Sequence, residues 1–166
     1  YAVPITSRHI QQPRICVYKD NFRAKPIQEF ASFGYYPSGS TIKWSFNFDV
    51  SQLPKLNSAG WTTNWVEGLQ ESFSRWSKHL DIKFDYSLTG SSANWLINLG
   101  RIDGPSGSLA WAELPPTANF TGQLNQKIDT AERFIFSNDP NPVGGYIDLG
   151  RTMCHEGGHS LGLGHL

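Results

Sequence analysis

Residues 155–165 read HEGGHSLGLGH, and this stretch decides how the rest of the chain is interpreted. His155 and His159 are four residues apart, so on a helix they share one face and can reach a single ion. Neutral imidazoles bind zinc at about 2.0–2.1 Å. Gly162 falls where a left-handed residue would end the helix and turn the chain, which lets His165 return to the same ion. The pattern predicts a zinc site with three histidine ligands and an open fourth position.

Glu156 lies between the two helical histidines and points toward that open position. There it can take a proton from a water molecule that zinc activates. Three protein ligands with an open position are typical of catalytic zinc. The alternative is that these are ordinary polar residues on a helix surface. Gly157 and Gly158 argue against it, because a glycine inside a helix costs roughly 0.5–1 kcal/mol relative to alanine.

The composition indicates one folded domain. The chain has 166 residues, of which 39% are hydrophobic and 13% aromatic, enough for one core. Lysine plus arginine number 14, as do aspartate plus glutamate, so no net charge attracts nucleic acid or anionic lipid at long range. No apolar run reaches the roughly 18 residues that a membrane-spanning helix needs. We expect neither a nucleic-acid partner nor a membrane span.

Hydrophobic periodicity predicts an α+β domain behind an extended N-terminal segment. Residues 1–40 carry four prolines and no sustained period, whereas residues 41–166 alternate between strand and helix patterns. Asn64 and Asp148 are predicted to cap the first and the last helix. Predicted strands begin at residues 41, 82, 95, 109 and 126, and predicted helices follow the two caps.

The C-terminal motif resembles the zinc signature of the metzincin endopeptidases, and among them that of the matrixin (matrix metalloproteinase) family. Residues 73–84 resemble the end of the first matrixin helix and the next strand. Residues 103–110 resemble the matrixin calcium loop, and residues 128–134 the acidic segment that closes it. The resemblance implies a twisted mixed five-stranded sheet with two main helices, the active-site helix lying near the C-terminus. It also implies a secreted zinc endopeptidase that acts on protein or peptide substrates.

A calcium site is the second expectation. Calcium binds about six to eight oxygen atoms, and Asp103, Asp129 and Glu132 would supply carboxylates. The resemblance implies that three loop residues add backbone carbonyl groups: Gly104, Ser106 and Ser108. The alternative is a solvated acidic turn with two further surface acids.

Substrate binding is expected along the strand that begins at residue 109. The resemblance implies that the backbone of Leu109 and Ala110 pairs with an extended peptide, which lies antiparallel along the sheet edge above the zinc. The alternative for both residues is simple core packing. The resemblance implies that Arg151 occupies the position at the floor of the pocket that binds the substrate residue after the cleaved bond. The alternative is an arginine on the surface of the helix.

Residues 13–20, PRICVYKD, resemble a degenerate form of the matrixin prosegment motif, in which a cysteine thiolate takes the open position on zinc. Cys16 is therefore a candidate switch ligand, and a thiolate binds zinc better than water does. The motif is imperfect, since Ile15 is inserted before the cysteine and Val17 replaces a glycine. A disulfide between Cys16 and Cys154, or two free thiols, are the alternatives.

Two functional interpretations follow. The first is a secreted zinc endopeptidase, made as a zymogen, with an N-terminal segment over residues 1–40 and a catalytic domain over residues 41–166 that stops after the third zinc histidine. The second is a catalytically silent, matrixin-like structural or binding module in a larger assembly. Two features favour the second: the methionine turn and specificity loop of metzincins would lie beyond residue 166, and Gly157 replaces a large apolar residue.

Overall fold

The structure is a computed structural model that describes residues 14–19, 34–48, 65–136 and 143–164. For residues 14–19 it describes the backbone alone. The strands are β1 (Arg14–Lys19), β2 (Thr41–Phe46), β3 (Lys83–Tyr86), β4 (Trp95–Gly100), β5 (Ser108–Leu114), β6 (Leu124–Asp129), β7 (Phe134–Ile135) and β8 (Ile147–Asp148). The α-helices are α1 (Trp65–Ser74), which a 3-10 helix continues over Arg75–Lys78, and α2 (Leu149–Ser160).

Six strands form one mixed sheet in the order β1-β5-β6-β4-β2-β3. The pairs β2/β3, β2/β4 and β4/β6 are parallel, whereas β5 pairs antiparallel with both β6 and β1. A separate parallel pair joins β7 to β8. The predicted α+β fold with five strands and two main helices is confirmed, and β1 adds a strand that the sequence pattern did not predict.

Both helices pack on the same face of this sheet. The ring of Phe73 in α1 lies 5.4 Å from that of Trp44 in β2 and 5.1 Å from that of Trp95 in β4, measured between centroids. Leu149 and Met153 of α2 are fully buried in the same core. Among the described residues, no helix is both long and apolar enough to cross a bilayer.

Local sequence signals set both ends of α2. The carboxylate of Asp148 accepts a backbone hydrogen bond from the first turn at 2.9 Å, which confirms the predicted cap. At the other end Gly162 has a φ of 106°, its N–H donates to the carbonyl of His159 at 2.8 Å, and the N–H of Leu163 donates to that of Gly158 at 3.0 Å. These two bonds form a Schellman motif, so the predicted left-handed glycine is confirmed. The cap predicted for the first helix, residue 64, lies outside the described residues.

An extended segment ahead of β2 crosses the end of α2. The N–H of Gly34 donates to the carbonyl of Pro115 and that of Tyr35 to the carbonyl of Thr117, each at 3.0 Å. This segment therefore joins the fold ahead of residue 41, where the catalytic domain was expected to begin. A Cβ atom on Gly162 would collide with the carbonyl oxygen of Gly34. Glycine at this position thus serves both the left-handed turn and the close approach of two backbones.

Replacing Gly162 by alanine should destabilise the protein by more than the cost of a left-handed alanine, about 1–2 kcal/mol. The collision with Gly34 should add roughly 1–3 kcal/mol. Gly39→Ala is the matched control, because Gly39 has a φ of 80° but a Cβ there would meet only Oδ2 of Asp81, at 3.8 Å. Urea unfolding of the metal-free proteins measures both losses. Equal losses would show that the Gly34 carbonyl does not constrain this turn.

Candidate active site

Two histidine rings of α2 face each other. Nε2 of His155 lies 2.9 Å from Nε2 of His159, and the ring planes are nearly perpendicular at 88°. Two nitrogen ligands of a tetrahedral zinc ion would be about 3.3 Å apart, given bonds of about 2.0–2.1 Å. A small adjustment of either ring would therefore let both nitrogens bind one ion.

The backbone beyond the helix sets the tautomer of His159. Its Nδ1 lies 2.6 Å from the carbonyl oxygen of Leu163. A carbonyl oxygen only accepts, so Nδ1 carries the proton and donates it to this bond. In the neutral ring Nε2 is then unprotonated, and this is the form that binds a metal. The turn at Gly162 positions the Leu163 carbonyl. The same turn therefore ends the helix and fixes the tautomer of His159.

The third predicted zinc ligand, His165, lies outside the described residues. Across the described ranges, no three histidine, cysteine, aspartate or glutamate side chains are grouped so that they could hold one metal ion. The structure thus brings two of the three predicted ligands together, and the complete ligand set stays a prediction.

Glu156, the predicted general base, is 0% exposed. It follows His155 directly on α2, so its carboxyl group is carried by the helix that carries the facing rings. Burying a carboxylate is energetically costly, and such groups concentrate at functional sites. Glu156 is therefore not an ordinary helix-surface residue, and its role as the general base stays a prediction.

The two glycines between the histidines let aromatic rings pack directly on α2. A Cβ on Gly158 would lie 2.8 Å from Cζ2 of Trp76. A Cβ on Gly157 would lie 3.2 Å from Cδ1 of Phe73 and 3.4 Å from Cζ3 of Trp95. Rings from α1 and β4 thus occupy the space that a side chain at position 157 would take, and the ring of Trp76 occupies that space at position 158. The sequence did not indicate what would fill this space, and in the structure aromatic rings from outside the helix fill it.

Cys154 has a free thiol. The alternative of a disulfide to Cys16 is therefore wrong for this structure. Burial raises the pKa of the Cys154 thiol, while the nearby charge of Arg75 acts in the opposite direction. The backbone carbonyl of Cys154 accepts a hydrogen bond from the indole Nε1 of Trp76 at 2.8 Å, which ties the 3-10 helix to α2 just before the first histidine.

β1 lies along the edge of β5, where the sequence predicts that a peptide binds. The antiparallel register pairs Cys16 with Ala112 and Tyr18 with Ala110. Leu109 and Ala110 are both buried within β5. Their backbone therefore belongs to a strand whose outer edge pairs with the N-terminal segment of the chain itself.

The three acids predicted to bind calcium surround one loop and bond its backbone. The carboxylate of Asp103 accepts from the N–H of Ser108 at 2.9 Å and from its hydroxyl at 2.8 Å. The N–H of Asp103 donates to Oδ2 of Asp129, and the N–H of Gly107 donates to Oε1 of Glu132, each at 3.2 Å. Carboxylates from two segments of the chain thus bond the backbone of residues 103–108, although within the described ranges the three are not grouped so that they could hold one ion.

The same loop contains two left-handed residues. Gly104 has a φ of 95° and Ser106 a φ of 64°. Left-handed positions reverse the direction of the neighbouring peptide planes, as a loop must when it turns several carbonyl groups toward one point. Two of the three predicted carbonyl donors, Gly104 and Ser106, therefore lie at sharp turns of this loop, and their binding of calcium stays a prediction.

Two side chains and one backbone carbonyl of this region had either a divided functional prediction or none. Arg151 is exposed on α2, one turn before His155. Trp76 and the Leu163 carbonyl were not predicted at all. The Leu163 carbonyl could have been predicted, because a glycine three residues after a helical histidine indicates a turn that brings the next carbonyl back toward that histidine ring.

Gly158→Ala should cost about 1–3 kcal/mol of stability, because the new Cβ would press on the ring of Trp76. Trp76→Leu removes that ring, so the double variant should lose less than the sum of the single losses, by about 0.5–3 kcal/mol. Phe120→Leu is the control, since its ring packs on Tyr36 with the centroids 5.4 Å apart and should add independently to Gly158→Ala. Urea unfolding of the single and double variants gives these values. Additive losses for Gly158 and Trp76 would contradict the packing described.

Comparison with known proteins agrees with the fold and the motif. The family model for matrixins matches residues 43–166. Metalloendoproteinase 1 of Glycine max is 28% identical over 149 residues, which cover 84% of this chain and 45% of that protein. Metalloendoproteinase 2-MMP of Arabidopsis thaliana is 31% identical over 105 residues, which cover 57% of this chain and 26% of that protein. The chain thus spans less than half the length of these curated relatives.

Among solved structures, this chain is similar to the crystal structure of myroilysin. The match covers 94% of this chain and 53% of the myroilysin chain, at 16% identity and with a TM-score of 0.46. The family match covers most of the chain and contains most of β2, all of β3 to β8 and both helices. It also contains both facing histidines and the buried glutamate between them. The chain therefore belongs to the matrixin family of metzincins.

Proposed function

We propose that this protein is a zinc-dependent endopeptidase that hydrolyses peptide bonds with a zinc-activated water molecule. The observation that carries the proposal is the pair of imidazole nitrogens of His155 and His159, which face each other at 2.9 Å. The proton on Nδ1 of His159 and the burial of Glu156 on the same helix agree with it. Membership of the matrixin family supports a metallopeptidase.

The ligands and the base have separate tasks. Zinc, when bound, supplies a Lewis acid that polarises the substrate carbonyl and lowers the pKa of water to about 7. His155 and His159 would hold it through Nε2, with His165 as the third ligand. Glu156 takes a proton from the attacking water, whose oxygen joins the carbonyl carbon, and then delivers that proton to the amide nitrogen as the C–N bond breaks. The products are one carboxylic acid and one amine.

An extended peptide is the substrate class that β5 fits. Its backbone at Leu109 and Ala110 would pair with the substrate, and main-chain hydrogen bonds of this kind depend little on side-chain identity. The antiparallel pairing of β1 with this edge supports the proposal, because it is the geometry expected of the substrate. Arg151 is proposed to limit the depth of the pocket for the residue after the cleaved bond.

Glu156→Gln should lower kcat by about 10²- to 10⁴-fold, because the amide cannot accept the proton, while zinc content stays unchanged. Cleavage of a peptide library after removal of the N-terminal segment measures the loss, and a zinc chelator should abolish the activity of the parent protein. Glu71→Gln is the matched control, since this carboxylate is 72% exposed on α1. A parent protein that binds zinc and cleaves no peptide would establish the catalytically silent module instead.

Latency is the second part of the proposal. We infer that the N-terminal segment inhibits the enzyme in two ways: β1 covers the edge of β5, and the thiolate of Cys16 takes the open position on zinc. The pairing of β1 with β5 supports the first. The second is supported by the affinity of thiolate for zinc and by the resemblance of residues 13–20 to a switch motif.

Cutting the folded chain ahead of Gly34 should raise the rate of peptide cleavage, because it frees β1. Cys16→Ser in the uncut chain should give a smaller rise, since the strand still covers the edge. Cys154→Ser, which changes the other thiol, should leave the uncut protein latent. Steady-state rates before and after the cut separate the two contributions. Equal rates for cut and uncut protein would refute latency, and an unchanged rate for Cys16→Ser would refute the thiolate contribution.

Calcium is proposed to bind the loop at residues 103–108, supported by the convergence of Asp103, Asp129 and Glu132 on its backbone. A ligand that binds only the folded state at 100 times its Kd stabilises it by about 2.7 kcal/mol. Calcium should therefore raise the free energy of unfolding, and Asp129→Asn should remove most of this gain. Asp85→Asn is the control, because Asp85 is exposed on β3. Identical unfolding in millimolar calcium and in chelator would reject the site.

Secretion belongs to the same proposal and is supported by membership of the matrixin family. The measurement is immunodetection of the protein in the culture medium and in lysed source cells. Protein confined to the lysate would contradict an extracellular place of action.

A further inference from the structure

A buried glutamine interrupts the apolar face of β6. Gln126 is 0% exposed and lies between Leu124 and Ile128, which are equally buried on the same face of the strand. A buried amide is unfavourable unless its polar atoms are hydrogen-bonded. In the part of the chain that the structure describes, Oε1 of Gln126 has no hydrogen-bond partner. An apolar residue of similar volume would fill this space without that cost, so the amide needs an explanation.

The bonds of Gln126 lead to the last residue of α2. Its Nε2 lies 2.9 Å from Oγ of Ser160, and that Oγ lies 3.1 Å from the carbonyl oxygen of Glu113 in β5. A carbonyl only accepts, so the Ser160 hydroxyl donates to Glu113 and accepts from the amide of Gln126. The direction of both bonds is thereby fixed. Two strands hold the end of the helix through one buried hydroxyl group.

Ser160 directly follows His159, so these bonds act on the turn that carries a proposed zinc ligand. Neighbouring residues project about 100° apart around a helix. A shift of the last turn that follows loss of the Ser160 bonds therefore moves the His159 ring. Ligand sets tolerate displacements of only about 0.5 Å before their geometry fails.

The same hydroxyl also joins the two halves of the proposed active site. Glu113 belongs to β5, whose backbone is proposed to hold the substrate, and its carboxylate accepts from the N–H of Asn125 in β6 at 2.7 Å. The Ser160 bond therefore links the strand that would hold the peptide directly to the helix that would hold the metal.

We infer that Gln126 and Ser160 are positioning residues, which hold His159 and the end of α2 in register with β5. This inference rests on the proposed zinc site. Partners of this kind, one step removed from the metal, typically change metal affinity by about 10- to 100-fold when they are replaced. Loss of the buried bonds should therefore appear in metal binding as well as in stability.

The experiment compares zinc affinity and the absorption spectrum of the cobalt-substituted full chain in four proteins: the parent, Gln126→Met, Ser160→Ala and Thr152→Val. Gln126→Met keeps the volume and removes the amide. Ser160→Ala removes a single oxygen atom, so it tests the link even if Gln126→Met does not fold. Thr152 is a buried control on the same helix, because its hydroxyl donates to the carbonyl of Asp148 in β8 at 3.0 Å and not to the six-stranded sheet.

We expect Gln126→Met and Ser160→Ala to weaken zinc binding by about 10- to 100-fold and to alter the cobalt spectrum, with Thr152→Val close to the parent. Parent-like affinity and spectra in both variants, with only a lower unfolding midpoint, would overturn the inference. So would an equal loss of affinity in Thr152→Val, which would indicate general softening of the helix. A parent protein that binds no zinc would instead refute the proposed function itself, and this inference with it.

Discussion

The close approach of α2 to the aromatic core governs where the two histidine rings of the site lie. Gly157 and Gly158 present bare backbone on the inner side of the helix, and flat rings occupy the space that side chains would take. The indole of Trp76 adds a hydrogen bond to the helix backbone. Because His155 and His159 are carried on the same turns, this packing sets where both Nε2 atoms point. A helix with larger side chains at these two positions would lie farther from the core, and the rings of His155 and His159 would move with it.

The acidic loop, β5 and α2 form one connected unit. Asp103 bonds the backbone and hydroxyl of Ser108, the residue that begins β5. Near the other end of the strand, the Glu113 carbonyl accepts from Ser160 at the end of α2. A change in the loop is therefore transmitted to the strand edge, and a change in the strand to the helix. The parallel strands β2, β4 and β6 provide the rigid base behind this unit.

Short-range signals in the sequence predicted much of this structure. Asp148 as the cap of α2, Gly162 as its left-handed end, and the α+β fold all follow from patterns within a few residues. Pairings between distant segments do not follow from such patterns. Trp76 and Cys154 meet only when two helices pack, and β1 lacks the polar alternation that marks a half-buried strand. Gln126 had an overlooked signal, since a polar residue at an inward position of a strand predicts a buried bond.

The two edges of the sheet are guarded against self-association in different ways. On one side β3 is four residues long and exposes Lys83 and Asp85, both of which discourage another chain from pairing there. On the other side β5 has seven residues and relies on β1 to cover it. A form without β1 would offer an open template to any extended chain, including a second copy of itself. Access for a substrate and vulnerability to aggregation are then the same property of one strand edge.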